Sequence, residues 1–136
     1  MSRYVTLILT MGYEERVCEE VLDLDSTIRF AAIANKMGKI VAAKFNRGVK
    51  ALLTTEEIES NMIKAALRMK TREDYEEKLG RTIYTFALYE KVKRATISLN
   101  RKDYSILMVS FEVEAEHESI ILQKILPKIK EHNLIA

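Results

Sequence analysis

The sequence predicts an α+β domain of five strands, with one long helix between the second and third strands and helices towards both ends. Three observations carry this reading. Short runs rich in β-branched and aromatic residues alternate in polarity and are separated by turn residues. Apolar residues recur at helical spacing in the stretches between and around them. A capping box, Thr54-Thr55-Glu56-Glu57, marks where the longest helix begins. The length suits one domain over residues 1–136, since roughly 100–200 residues make one, with residues 1–11 as an N-terminal extension.

Residues 12–24 read as the first helix. Val17, Val21 and Leu24 recur at helical spacing, and Cys18 and Leu22 widen the stripe. Glu14 and Glu15 lie in its first turn, where the positive end of the helix dipole favours acids. Segment 4–10 is rich in Val, Thr and Ile, which favour a strand. Gly12, as a weak helical position, would equally let it join the helix, and both readings stand. Residues 28–34 and 39–45 read as a hairpin around Asn35-Lys36-Met37-Gly38, because Asn and Gly tolerate the positive φ of hairpin loops. Simple alternation puts Ile28, Phe30 and Ala32 on one face, and Ile40 with Ala42 on one face of the second strand. The alanines leave room for close approach, so helices are expected over this hairpin.

Beyond the Thr54 cap, Ile58, Met62, Ala65, Ala66 and Met69 form the stripe of the crossover helix. Thr71-Arg72-Glu73-Asp74 repeats the cap pattern and predicts a break or bend near Lys70, with a second piece to Leu79 stopped by Gly80. Residues 81–89 read as a strand. Ile83, Thr85, Ala87 and Tyr89 share one face; Thr82, Tyr84, Phe86 and Leu88 share the other. Residues 94–99 place Ala95, Ile97 and Leu99 inward and Arg94, Thr96 and Ser98 outward. Residues 104–113, after a turn at 100–103, are apolar on both faces and should be central. Residues 116–132 read as the last helix, with Ile121, Leu122, Ile125 and Ile129 as its stripe. Pro127 cannot bond to residue 123 and should kink the helix or split off a last piece.

Hydrophobic residues make up 48% and charged residues 31%, as in ordinary globular chains. No apolar run reaches the ~18 residues of a membrane span. The start is too short for a signal peptide and lacks a small-residue cleavage site. Cys18 is the single cysteine, which excludes an internal disulfide and a multi-cysteine zinc site and suits the cytoplasm. The net charge of +2 hides segregation: residues 26–53 hold six basic and no acidic residues, and residues 81–103 hold six basic and two acidic. Such segments read either as strand edges and turns protected by Lys and Arg or as an anion site.

Chemistry is sparse. Gly12, Gly38, Gly48 and Gly80 are isolated, so neither a phosphate loop nor a dinucleotide fingerprint exists. His117 lies among Glu114, Glu116 and Glu118, which reads as a solvated acidic start to the last helix rather than a metal site. Cys18 sits on an apolar stripe like a small hydrophobe. Asp23 and Asp25 suit local turn capping. No nucleophile–base pair can be assembled, so no catalytic residue, metal or cofactor is expected.

The order of helix, hairpin, capped crossover helix, three strands and helix resembles the roadblock/longin-like members of the profilin-like group. The likeness covers about residues 12–133. It rests on that order, on the 35–38 turn between alanine-bearing strands and on the cap at Thr54. It implies a single five-stranded antiparallel sheet, with the long crossover helix on one face and the terminal helices on the other. Segment 4–10, the break near Lys70 and Pro127 depart from the pattern. The chain also resembles small archaeal proteins, a likeness that brings no function. Roadblock-like proteins dimerise through the crossover helix and the neighbouring edge strand, and act as platforms for small Ras-like GTPases or signalling complexes. The resemblance therefore implies a non-enzymatic, homodimeric scaffold or regulatory module.

The residues point the same way. Thr82, Tyr84, Phe86 and Leu88 give the edge strand a second apolar face that invites pairing. Ile58, Met62 and Met69 complete the candidate dimer interface, the methionines serving either as adaptable contacts or as core filler. In the roadblock order, Lys36, Lys39, Arg101 and Lys102 lie at one end and cluster, ready for phosphate, a nucleic-acid backbone or an acidic patch on a partner. Two alternatives stand beside this. A PAS- or GAF-like small-ligand sensor also uses a five-stranded antiparallel sheet and would show a closed apolar pocket of ~300 Å3. A nucleic-acid-binding module would stack bases on Tyr84, Phe86 and Tyr89 beside Lys91, Lys93 and Arg94. The pI of about 8.6 and the lack of an RNP-type motif count against it.

Overall fold

A computed structural model of the chain describes residues 12–136; segment 4–10 and the extension expected over 1–11 lie outside the described residues. Helix α1 (Tyr13–Leu22) precedes β1 (Ile28–Ala34), β2 (Ile40–Phe45) and the crossover helix α2 (Thr55–Arg72). A 3-10 turn (Glu73–Tyr75) leads into a short α3 (Glu76–Leu79). Strands β3 (Tyr84–Leu88), β4 (Val92–Ser98) and β5 (Ile106–Glu112) follow. The last helix comes in three pieces: α4 (His117–Ile120), a π-helical turn (Ile121–Ile125) and α5 (Leu126–Glu131). The strands form one antiparallel sheet in the order β2-β1-β5-β4-β3. This is the expected α+β architecture, with β5 central because both its faces are apolar.

Two cores sandwich the sheet. On one face α1 and the last helix bury Val17, Val21, Ile121, Ile125 and Ile129 against Ile33, Ile97, Leu107 and Phe111. On the other, α2 buries Met62, Ala65, Ala66 and Met69 against Phe30, Ala32, Ala34 and Met108. The alanines of β1 lie under both layers, as their small size allows. The start of α2 is held by the predicted box: the Glu57 amide donates to Thr54 Oγ1 (3.2 Å) and the Thr54 amide to Glu57 Oε1 (2.9 Å).

Simple alternation fails at two bulges. Ile28 pairs with Phe111 but Phe30 with Ser110, so Arg29 is an extra residue in β1. Ile28 consequently faces the α1 side, whereas Phe30 and Ala32 face α2. In β2, Ile33 pairs with Ala42 and Ala34 with Ile40, leaving Val41 extra. Ile40 turns to the α2 side and Ala42 to the α1 side. The shared faces expected for Ile28 with Phe30, and for Ile40 with Ala42, are corrected accordingly.

The helices follow the reading with small shifts. The crossover helix is interrupted close to where expected, just after Arg72, and its second piece ends at Leu79 before Gly80. Thr71 Oγ1 donates to the Arg68 carbonyl (2.8 Å) instead of capping a new helix, and the bend falls at the 3-10 turn after Arg72. In the last helix Pro127 cannot donate to the Gln123 carbonyl, and the turn before it widens to π-helical. Leu122, expected on the buried stripe, is exposed, and Ile120 takes the inward place.

Candidate functional site

The two edges of the sheet differ. Edge strand β2 carries a bulge at Val41 and a charged Lys44 that pairs with Glu15 (3.9 Å); bulges and charge both discourage strand addition. Edge strand β3 reads Tyr-Thr-Phe-Ala-Leu, uncharged and in unbroken register with β4. On its far side it meets no strand among the described residues.

The hydrogen bonds show which groups β3 offers. The Ser98 amide donates to the Ile83 carbonyl (3.0 Å) and the Tyr89 amide to the Val92 carbonyl (2.9 Å). Odd-numbered residues therefore turn their backbone groups to β4, and by alternation Tyr84, Phe86 and Leu88 turn theirs outward. Their side chains share the face covered by the last helix. Tyr84 packs on the core there, and Phe86 stacks on His117 with ring centroids 4.0 Å apart and planes 7° apart. Leu88 is 68% exposed. Of the predicted edge set, Thr82 lies just before the strand and is half-buried. On the opposite face, Ile83 and Tyr89, which the alternation put together, are also exposed.

Along α2, the three predicted interface residues point inward. Met62 and Met69 are 0% and 6% exposed, and Ile58 packs partly against the same core. They fill the protomer. The outward apolar residues are Ile63 and Leu67, 47% and 59% exposed. They lie on an exposed seam that reads Glu56, Glu59, Ile63, Leu67, Lys70 at steps of three and four residues. This seam is acidic at its start, apolar in the middle and basic at its end. It was legible as an i, i+4 pair one position off the methionine stripe.

Between α2 and the β3–β4 side of the sheet runs an apolar groove of about 530 Å3. Strand residues Phe30 and Met108 and helix residue Ile58 line it, with Tyr89 and Arg94 opposite. The Arg94 guanidinium donates to Tyr89 Oη (3.0 Å) and lies over its ring. The groove is partly open to solvent, unlike the closed pocket a sensor would need. The base-stacking set does not assemble either. Tyr89 lies on the opposite face from Tyr84 and Phe86, and Lys93 Nζ donates to the Ala115 carbonyl (2.8 Å).

The cationic turns share an end of the sheet, as the roadblock order requires: Ala34 pairs with Ile106, and the Ser105 amide donates to the Ala34 carbonyl (2.9 Å). The two turns have different surroundings. The turn with Lys36 and Lys39 leans on α2 through Gly38, which crowds Ile63. Arg101 and Lys102 instead line a polar recess with Tyr13, Tyr104 and His132 beneath the terminal helices.

The remaining polar groups are accounted for locally. Tyr104 donates to Glu14 Oε1 (2.6 Å), which holds the carboxyl below its ordinary range and pushes the phenol up to about 12. Asp25 Oδ1 accepts from the Thr27 hydroxyl (2.7 Å) and amide (3.0 Å), and Lys124 pairs with its other oxygen (3.3 Å). Cys18 is buried, its thiol pushed up to about 12 by desolvation. Among the described residues, no three His, Cys, Asp or Glu side chains gather as a metal site, and no helix is long and apolar enough to cross a membrane.

No family model matches the chain, and no curated protein matches it. Solved structures do. The gliding protein MglB from Thermus thermophilus superposes with a TM-score of 0.66 at 16% identity, over 90% of this chain and 94% of that one. A roadblock/LC7 domain from Streptomyces avermitilis gives 0.63 at 7% identity, over 88% and 96%. MglB from Myxococcus xanthus gives 0.63 at 12% identity, over 90% and 89%. The fold is thus the roadblock fold expected. None of these sources is archaeal, and the archaeal resemblance gains no support from them.

Proposed function

We propose that the chain is a non-enzymatic, homodimeric scaffold or regulatory module that works in the cytoplasm as a platform for a small Ras-like GTPase or a signalling complex. One observation carries the reading: the open, uncharged edge of β3 beside the outward seam of α2. An unprotected edge of this kind is a template for another strand. The seam has the charge order of a self-complementary surface. Run antiparallel against a copy of itself, it sets Ile63 opposite Leu67 and Glu59 opposite Lys70, the isologous arrangement of a two-fold dimer. The partner class comes from the roadblock resemblance, and the shared fold with MglB structures is consistent with it. A structure described as MglB with tetrameric arrangement shows that this fold assembles in at least that protein. Lys36, Lys39, Arg101 and Lys102, carried on two turns at one end of the sheet, are the proposed contacts for an acidic patch on the partner.

Sedimentation equilibrium tests the dimer first. The expected species has twice the 15.7 kDa protomer mass; a single protomer-mass species at every micromolar concentration overturns the proposal. Titration of the dimer with a small Ras-like GTPase then tests the platform role: saturable binding is expected, and no binding at micromolar concentrations counts against it.

A further inference from the structure

We infer that the groove between α2 and the β3–β4 side of the sheet docks an amphipathic helix of a partner protein, one that presents a carboxylate to Arg94 beside apolar side chains. This deepens the platform reading above by naming what a partner presents, and it does not depend on the homodimer.

The floor of the groove is one row of the sheet. Phe45 pairs with Phe30, Phe30 with Ser110 and Ser110 with Arg94. Read across the strands, the row is apolar, apolar, small and cationic. Phe30 and Arg94 stand two strand spacings apart, about 10 Å. Around the apolar half, Phe45, Leu52 and Leu53 are all exposed and line the groove. Apolar groups left to water beside a cation form a surface for an amphipathic partner.

Arg94 supplies the charge. Its guanidinium donates to Tyr89 Oη and lies 5.4 Å from the centroid of that ring, which fixes its place without neutralising it. Among the described residues it forms no ion pair with a carboxylate. Arg29, the other arginine of the lining, is committed to Glu112 (3.0 Å) and to the Lys50 carbonyl (3.1 Å). Glu90 and Lys91, adjacent on the turn, offset each other. The chemistry left unmet is one anion next to apolar surface.

The floor also decides the backbone of the occupant. Strands β1, β5 and β4 each have a strand on both sides, so they offer no backbone groups to an added strand. A helix satisfies its own backbone and docks by side chains alone. Two helical turns advance about 10.5 Å, which sets a carboxylate seven residues from an apolar anchor over Phe30. The start of the described chain is remote from this groove. Tyr13 lines the recess by the 100–104 turn and donates to the His132 carbonyl, at the other end of the sheet and on its other face.

Fluorescence anisotropy with the full chain tests the inference. The probe is a labelled helical peptide of about 15 residues, with leucines two turns and one turn before a glutamate on one face. The wild type should bind it saturably at micromolar concentrations. Changing that glutamate to glutamine, or Arg94→Gln in the protein, should weaken binding about tenfold or more, and both changes together no more than either alone. The peptide change leaves the protein intact, so the comparison stands even where R94Q disturbs folding. No binding by the wild type, or equal binding of the two peptides, overturns the inference. So does binding that appears only when residues 1–11 are deleted, or only in the Ile63→Glu, Leu67→Glu variant, since the groove then belongs to the chain's own start or to a second copy. A chain that binds a small GTPase but not the peptide loses this inference alone; one that binds neither loses the platform reading as well.

Discussion

A Cβ built on Gly38 would sit 2.7 Å from the Cα of Ile63. The β1–β2 turn thus rests directly on the backbone of α2, and Gly38 also holds φ at +81°. Replacing it with Ala adds left-handed strain of roughly 1–2 kcal/mol and a clash with helix backbone that costs roughly 1–3 kcal/mol more. Gly48 has φ +72° but open space around it, so Gly48→Ala carries the strain alone. Urea unfolding of the two variants should show Gly38→Ala the less stable. Equal losses would mean that the turn and helix can separate without cost.

The two sides of α2 should respond oppositely. Met62 is fully buried, and Met62→Ala should lower stability by about 2–5 kcal/mol through lost burial and a residual cavity. The double variant Ile63→Glu with Leu67→Glu changes exposed positions. It should leave the far-ultraviolet circular dichroism unchanged while the sedimenting mass falls to that of the protomer. Phe86→Glu on the β3 edge should dissociate the dimer in the same way; if it unfolds the chain, the stack on His117 belongs to the core.

The cap at Thr54 gives a smaller, cleaner measurement. Thr54→Ala removes the acceptor of the Glu57 amide at an exposed helix start. The expected loss is about 1 kcal/mol, read as a shift in the urea midpoint with unchanged slope. A loss below a few tenths would show that water replaces the hydroxyl there.

How far the chain could be read ahead depended on whether a signal was local. The Thr54 box, the 35–38 turn and the two apolar faces of β5 are each written in a few adjacent residues, and each stands where expected. The bulges at Arg29 and Val41 are not written locally. They arise from how β1 pairs with β5 and β2, and alternation alone put Ile28 and Ile40 on the wrong faces. The uncharged β3 edge is apparent from its composition, but whether Met62 and Met69 serve as contacts or as core filler was open from sequence. Any apolar stripe on α2 suits either surface, and only packing against Phe30 and Met108 shows that the methionines are spent inside, leaving Ile63 and Leu67 to face out.

The stack of Phe86 on His117 predicts a pH dependence. Burial, and then the charge of Lys93, hold the imidazole below its ordinary value of 6.5, while Glu118 and Glu116 pull weakly the other way. A depressed histidine resists protonation in the folded chain but not in the unfolded one. Above about pH 7 neither state binds the proton, and the effect vanishes. As the pH falls through 6.5 the unfolded chain takes it up first, so folding weakens, and the full loss is reached below the folded value. Wild type compared with His117→Gln isolates this from His132, which sits 2.8 Å from Glu20. The variant should lose less stability than wild type between pH 7 and 5. Removing the stacked ring with Phe86→Ala should raise the His117 titration midpoint seen by NMR. A wild-type midpoint at or above 6.5 would show that the stack leaves the imidazole as wet as in the unfolded chain.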